Sequence, residues 1–231
     1  MAESIRGKVI RDLIARFSND LLIGKKIKSG ELRKRAVDLE PEWKCPEQFT
    51  NTMILMENFT MELLEPVENV GSRVVLQLHG GGYIATMKNA YRSFAALYSE
   101  LGGNCRVLTI DYRVAPEHPY PAAAEDAMKA WNYLMLLGYG ARDVIITGDS
   151  AGGNLALSLV LKLKEQERLF PRGIVLMSPW TDLTGEGKTF QTKAELDPVL
   201  DKEYIDRMTR AYAPDRDLTD PYISPLFGNF H

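Results

Sequence analysis

The chain reads as an α/β protein with a mostly parallel, doubly wound sheet, and three observations carry that reading. From residue 73 onward, apolar runs of strand length alternate with longer runs of helical character. Glycine-rich turns follow two of those strands. The apolar runs are continuous, as in strands covered on both faces. With 231 residues and 45% hydrophobic content the chain is long enough for one sizeable core, so 1–231 is read as a single domain.

The elements follow in order. Ile5, Val9, Ile10, Leu13, Ile14 and Phe17 recur at helical spacing, with Arg6, Arg11 and Arg16 on the other side. Residues 1–35 carry ten Lys or Arg against four Asp or Glu, which a solvated helix face explains; a membrane-surface or organelle-targeting helix is the alternative. "EWKCPEQFTN" is loop-like, and "TMILMENFTMELLEPV" suits one or two strands. Then come "RVVLQLHGGGY" (strand and Gly loop), "NAYRSFAALYSELGG" (helix closed by Gly), "CRVLTIDYRVAP" (strand and loop) and "PAAAEDAMKAWNYLMLLG" (helix opened by Pro). "DVIITGDSAGG" repeats the strand, "NLALSLVLKLKEQERL" the helix, and "GIVLMSPW" is a further strand whose run suits burial on both faces. The rest is mostly polar, with one helix near 201–213 and no further strand.

A formal net charge of −3 gives no basic surface for nucleic acid. No apolar run reaches transmembrane length and no signal-peptide core appears, so no stable membrane insertion is expected. Cys45 and Cys105 stand far apart without a metal-ligand pattern, and read as reduced cysteines of a cytoplasmic protein. No cofactor or metal is called for.

Gly148-Asp149-Ser150-Ala151-Gly152 fits G-x-S-x-G and sits between a strand and a helix, the setting in which that pattern has chemical meaning. The sharp turn pushes Ser150 out above the sheet edge, and the helix beginning beside it points free N–H groups toward developing negative charge. "HGGGY", His79 to Tyr83, follows another strand; its glycines would let backbone N–H groups approach an oxyanion. Gly81, Gly82 and Ala151 are the expected donors. A phosphate-binding reading is weak, because "HGGGY" lacks both G-x-G-x-x-G and a Walker lysine. Tyr83, at the lip of the loop, is the expected substrate contact, with Trp180 a weaker one for which core packing is as good an account.

"HGGGY", "DYRVAPEHPYPAAAED", "GDSAGGNLA" and "SPWTDL" resemble, in order and spacing, the hormone-sensitive-lipase-like esterases of the α/β-hydrolase superfamily. The resemblance implies a serine carboxylesterase acting on small or medium acyl esters, with Ser150 as nucleophile. It implies a cap built from residues 1–40 and about 181–215. It spans essentially the whole chain but about three quarters of the family's fold.

Such a serine needs a base, and the chain has three histidines. His79 belongs to the oxyanion loop, which the family resemblance has it organise. His118 lies between prolines in a post-strand loop, and His231 is the last residue. Asp197 and His231 would complete the order Ser, Asp, His, but "GKTFQTKAEL" and "SPLFGNF" before them do not read as core strands. Asp149 and Asp111 read as structural hydrogen-bonders. The expectation is therefore a chain that stops before the strands bearing the family's triad Asp and His, with impaired activity by itself. A homodimer, or a separate C-terminal chain of the same protein, are the macromolecular partners this leaves open. The alternative from another class is a non-catalytic small-molecule receptor on an esterase-like fold; an inert structural fragment is the third.

Overall fold

The computed structural model describes residues 7–9, 40, 42–193, 196, 197, 200 and 202–231. Of the N-terminal helix expected over Ile5–Phe17, only residues 7–9 fall among these, and they are helical; the rest of that expectation lies outside the described residues. Six strands form one sheet: β1 (Phe49–Leu55), β2 (Thr60–Pro66), β3 (Val74–Leu78), β4 (Arg106–Asp111), β5 (Val144–Asp149) and β6 (Gly173–Met177). Between them run helices α1 (Asn89–Leu101), α2 (Ala122–Leu136) and α3 (Ser150–Glu165); α4 (Lys188–Thr192) and α5 (Lys202–Tyr212) follow. The sheet order is β1-β2-β4-β3-β5-β6.

The first two strands form a hairpin that joins the sheet antiparallel, β1 on β2 and β2 on β4, while β4, β3, β5 and β6 run parallel. The sheet is thus mostly parallel, as expected, and "TMILMENFTMELLEPV" supplies two strands. The first of them begins already at Phe49, inside the stretch read as loop.

β3 lies at the centre, and all five of its residues are buried. Period-two alternation sends Val74, Leu76 and Leu78 to one face, where they meet Trp131 and Leu134 of α2 and Leu155, Leu159 and Leu163 of α3. Val75 points to the other face, toward Ala95 of α1. The chain passes from β3 outward to β4, then returns across β3 to β5, so the order of the parallel strands reverses between β3 and β5. In open α/β sheets the crevice at such a reversal, beyond the carboxyl ends of the strands, is where ligands bind.

β6 departs from the sequence reading. Ile174 and Leu176 pack on the main core, but Val175 is 53% and Met177 41% exposed. Burial on both faces was expected; among the described residues β6 is an edge strand and only one of its faces is covered. The bare face adjoins an apolar stripe of α1, where Phe94, Leu97 and Leu101 are exposed. Tyr98 of α1 reaches the Met177 sulfur at 3.8 Å. Among the described residues no helix is long and apolar enough to cross a membrane.

Candidate active site

Register places the two glycine-rich turns together. Leu78 pairs with Gly148 across β3 and β5, so the loop after β3 and the turn after β5 leave the sheet side by side. One residue pair further over, Asp149 opposes Met177 of β6, which sets Ser178 beside Ser150. Ser150 takes φ 50°, the left-handed region that a side chain adopts at a cost, and its place at the β5–α3 junction is where such strain accompanies function. Gly152 allows the approach: a β-carbon there would fall 2.1 Å from the Leu78 carbonyl oxygen. No larger residue would let α3 start this close to β3.

Ser150, Gly81 and Gly82 line one cleft of about 440 Å³. Trp180, Phe190 of α4, and Ile205 and Met208 of α5 supply apolar walls, and Lys193, Lys202 and Asp197 add charge. Ala151 is fully buried at the start of α3, in the position from which its N–H joins the free donors of the helix terminus. Gly81 and Gly82 both have positive φ. A concave, mainly apolar cleft with a few convergent polar groups is the form small-ligand sites take.

The surroundings hold this arrangement rigid. Asp149 Oδ1 accepts the Gly80 N–H at 3.0 Å, joining the turn after β5 to the glycine loop. The motif "DYRVAP" braces the loop from beneath: Tyr112 donates to the His79 carbonyl at 2.7 Å, and Asp111 Oδ1 accepts the Met87 N–H at 2.8 Å. Arg113 in turn pairs with the buried Asp126 of α2 at 2.8 Å. Asn154 ties three segments together, accepting the Tyr83 hydroxyl at 2.8 Å and donating to the carbonyls of Trp180 at 2.7 Å and Ile223 at 2.9 Å. The Trp180 N–H donates to the Ser150 carbonyl at 2.9 Å. Asn154, Met208 and Phe190 went unremarked in the sequence; only the position of Asn154 one turn after Ser150 offered a signal.

Tyr83 is a correction. It was expected at the lip of the loop, but it is fully buried and absent from the walls of the cleft. Its ring stacks on Tyr212 of α5 with centroids 3.7 Å apart. An amphipathic ring beside a glycine loop reads as a ligand contact only until a cap helix supplies another ring to cover it. Trp180, the weaker candidate, does line the cleft.

None of the three histidines lines the cleft. His79 is fully buried and stacked on Tyr112, with centroids 4.1 Å apart. Its Nδ1 lies 2.7 Å from the Gly80 carbonyl, which can only accept, so that nitrogen carries the proton. Burial pushes the imidazole below its ordinary pKa, against the smaller pull of the Gly80 carbonyl and of Asp111. His118 lies beside a separate open hollow with Asp111 and Glu117. His231 accepts at its carbonyl from Lys164, near the far end of α3 from Ser150. Lys164 lies fourteen positions after Ser150 on α3, and at a rise of 1.5 Å per position the two lie roughly 20 Å apart along the axis. Asp197 does line the cleft, but it follows α4 rather than a strand, and its carboxylate accepts the Leu200 N–H at 2.9 Å. The pair Asp197 and His231 is not brought together.

Comparison with known proteins agrees with this geometry. Residues 75–231 match the family model described as the alpha/beta hydrolase fold. The chain belongs to the α/β-hydrolase fold family. Its relatives are the hormone-sensitive-lipase-like esterases, as the four motifs imply. It is 37% identical over 160 residues to an esterase of Acinetobacter venetianus, a match covering 68% of this chain and 52% of that protein. To an acetyl-hydrolase of Streptomyces hygroscopicus it is 31% identical, over 87% of this chain and 68% of that one. A crystal structure of an esterase from the bacterial hormone-sensitive lipase family superposes with a TM-score of 0.82 at 26% identity, covering 99% of this chain and 75% of the other. The chain thus spans about half to three quarters of the length of these relatives.

Proposed function

We propose that the protein is a serine carboxylesterase that hydrolyses esters of small or medium acyl groups through an acyl-enzyme on Ser150. The observation that carries this is Ser150 itself, held at φ 50° between β5 and α3 and sharing a cleft with the Gly81–Gly82 backbone. The relatives named esterase and acetyl-hydrolase support a hydrolase over a receptor.

In this mechanism Ser150 Oγ attacks the ester carbonyl while a base takes its proton. The carbonyl oxygen becomes an oxyanion, stabilised by N–H groups of Gly81, Gly82 and Ala151. The tetrahedral intermediate collapses, the C–O bond to the alcohol breaks, and the protonated base returns its proton to the departing alcohol. Water, activated by the same base, then attacks the acyl-enzyme and releases the carboxylic acid and free Ser150. The size of the cleft and its apolar walls, Trp180, Phe190, Ile205 and Met208, suit a short acyl chain.

No described histidine lines the cleft, so we assign the base and its orienting carboxylate to polypeptide that pairs with the open edge of β6. Val175 and Met177, exposed on the bare face of β6, are surface that such polypeptide would cover as well. A separate chain of the same protein would serve, and a homodimer through this edge is the other arrangement it allows. Residues 181–215 act as a cap, since α4 and α5 wall the cleft; the part of the cap expected over residues 1–40 lies almost wholly outside the described residues. The two separated free cysteines accord with a cytoplasmic setting.

The test is labelling by a fluorophosphonate, read by mass spectrometry of the Ser150 peptide, alongside hydrolysis of p-nitrophenyl acetate, butyrate and octanoate. Full-length protein should label and hydrolyse the shorter esters, and both should vanish in S150A while surviving in H231A. Absence of labelling in the full-length protein would sink the esterase reading. Equal labelling of residues 1–231 alone would sink the assignment of the base to polypeptide paired with β6.

A further inference from the structure

We propose that Tyr91 is a positioning residue for the oxyanion loop, bracing the Gly80 amide against the Asp149 carboxylate of the nucleophile turn. This rests on the esterase reading of Ser150.

Three hydrogen bonds close a triangle behind the cleft. The Gly80 N–H is shared between the Tyr91 hydroxyl oxygen at 2.8 Å and Asp149 Oδ1 at 3.0 Å. The Tyr91 hydroxyl donates its own proton to Asp149 Oδ2 at 3.0 Å. Each oxygen of Asp149 therefore has a partner, and the phenol both donates and accepts. Burial, and then the neighbouring Asp149 charge, push the Tyr91 hydroxyl far above its ordinary pKa, so it remains a donor throughout the working range.

The phenol is also anchored at its other end. The Tyr91 carbonyl accepts from Gln77 Nε2 of the central strand at 3.1 Å, which pins the first turn of α1 to β3. The ring lies against His79, centroids 5.6 Å apart, and edge-on to Phe94 at 6.0 Å. Tyr91 thus carries the rigidity of β3 and α1 into the residue immediately before the Gly81 and Gly82 donors. A displacement of about 1 Å in such a donor can cost on the order of a hundredfold in rate, so a fixed Gly80 has kinetic value beyond its contribution to folding. Without the hydroxyl, the loop would keep its bond to Asp149 Oδ1 but lose the strut that stops Asp149 from turning.

The experiment uses Y91F and D149N, singly and together, in the full-length protein. Butylboronic acid, which forms a tetrahedral adduct on serine at equilibrium, reports on the oxyanion donors, and butyrate reports on binding without an adduct. Boron-11 NMR identifies the adduct, S150A is the control, and amide exchange is followed at Gly81 and Gly82. Expected for Y91F is about tenfold weaker boronate binding with butyrate affinity held, and about tenfold faster exchange at Gly81 and Gly82 with Val144–Thr147 unchanged. The double variant should lose no more than the worse single one, as two members of one brace do. Unchanged glycine exchange and an unchanged boronate-to-butyrate ratio in both single variants would overturn the proposal. Absence of a boronate adduct in the unsubstituted full-length protein would count against the esterase reading instead, and glycine exchange would then decide the brace.

Discussion

The sulfur of Met208, on α5, closes on Gly82 so tightly that a β-carbon built on that glycine would lie 2.0 Å from it. Gly82 also has φ 61°, so its freedom from a side chain is needed twice over. A cap helix thereby touches the residue expected to donate to the oxyanion.

G82A should therefore destabilise the fold by about 2–5 kcal/mol, combining the left-handed penalty of roughly 1–2 with overpacking of roughly 1–3 kcal/mol. M208A carries its own cavity cost, but on that background the further change G82A should cost only the backbone part. Urea unfolding of the single and double variants measures both, and a G82A loss within about 0.5 kcal/mol of zero would contradict the contact.

Ser150 offers the opposite sign. At φ 50° its β-carbon is strained, so S150G should unfold at higher urea than S150A, by a few tenths to about 1 kcal/mol once the greater freedom of unfolded glycine is subtracted. Both variants should be dead toward fluorophosphonate. If S150A were the more stable of the two, the turn at Ser150 would be relaxed rather than strained.

Tyr83 should matter for stability and not for ligand. Y83F strands the buried Asn154 Oδ1, which accepts from that hydroxyl at 2.8 Å, and should cost about 1–3 kcal/mol. Butyrate affinity, followed by titration, should stay within about twofold of the parent; a larger change would return Tyr83 to the cleft.

Glu62 gives a pH-dependent prediction. Burial works against its ionisation, but hydrogen bonds from Arg92, at 2.8 and 2.5 Å, and from Asn51, at 2.9 Å, outweigh it and hold the carboxyl below its ordinary value. A depressed folded pKa means stability that is present above the unfolded value and is lost as pH falls through the folded one. R92M should cost about 3–5 kcal/mol near neutral pH, where it leaves a buried carboxylate without its cation. The deficit should narrow as pH falls into the carboxylate range, beginning in the variant above the ordinary value because burial now acts on Glu62 without Arg92 to oppose it. Urea midpoints from pH 3 to 8 would show it, and a deficit constant with pH would refute it.

Much of the molecule was legible in the residues because its signals are local. The strand and helix alternation from residue 73, the α5 helix near 201–213, and the serine turn all depend on periodicity and glycine placement within a few residues. What escaped needed partners distant in sequence. Asp149 could be read as a hydrogen-bonder, but its two partners, Gly80 and Tyr91, lie 69 and 58 residues away. Tyr83 was misplaced because Tyr212, which covers it, belongs to a cap helix with no sequence cue to where it docks. β6 misled for a related reason. A continuous apolar run records what a strand is suited to bury, whereas Val175 and Met177 stay exposed for want of a described element on that face.

The sequence by itself determined the α/β class, the order of its elements, and a serine turn with a glycine loop upstream, since turn chemistry and hydrophobic period are properties of short stretches. Only the tertiary structure decided that the two turns meet. Pairing Leu78 with Gly148 in a sheet whose order reverses at β3 and β5 sets them side by side. It also decided that His231 is no partner for Ser150, because a rigid helix holds them at opposite ends, and chain order carries no information about such a distance.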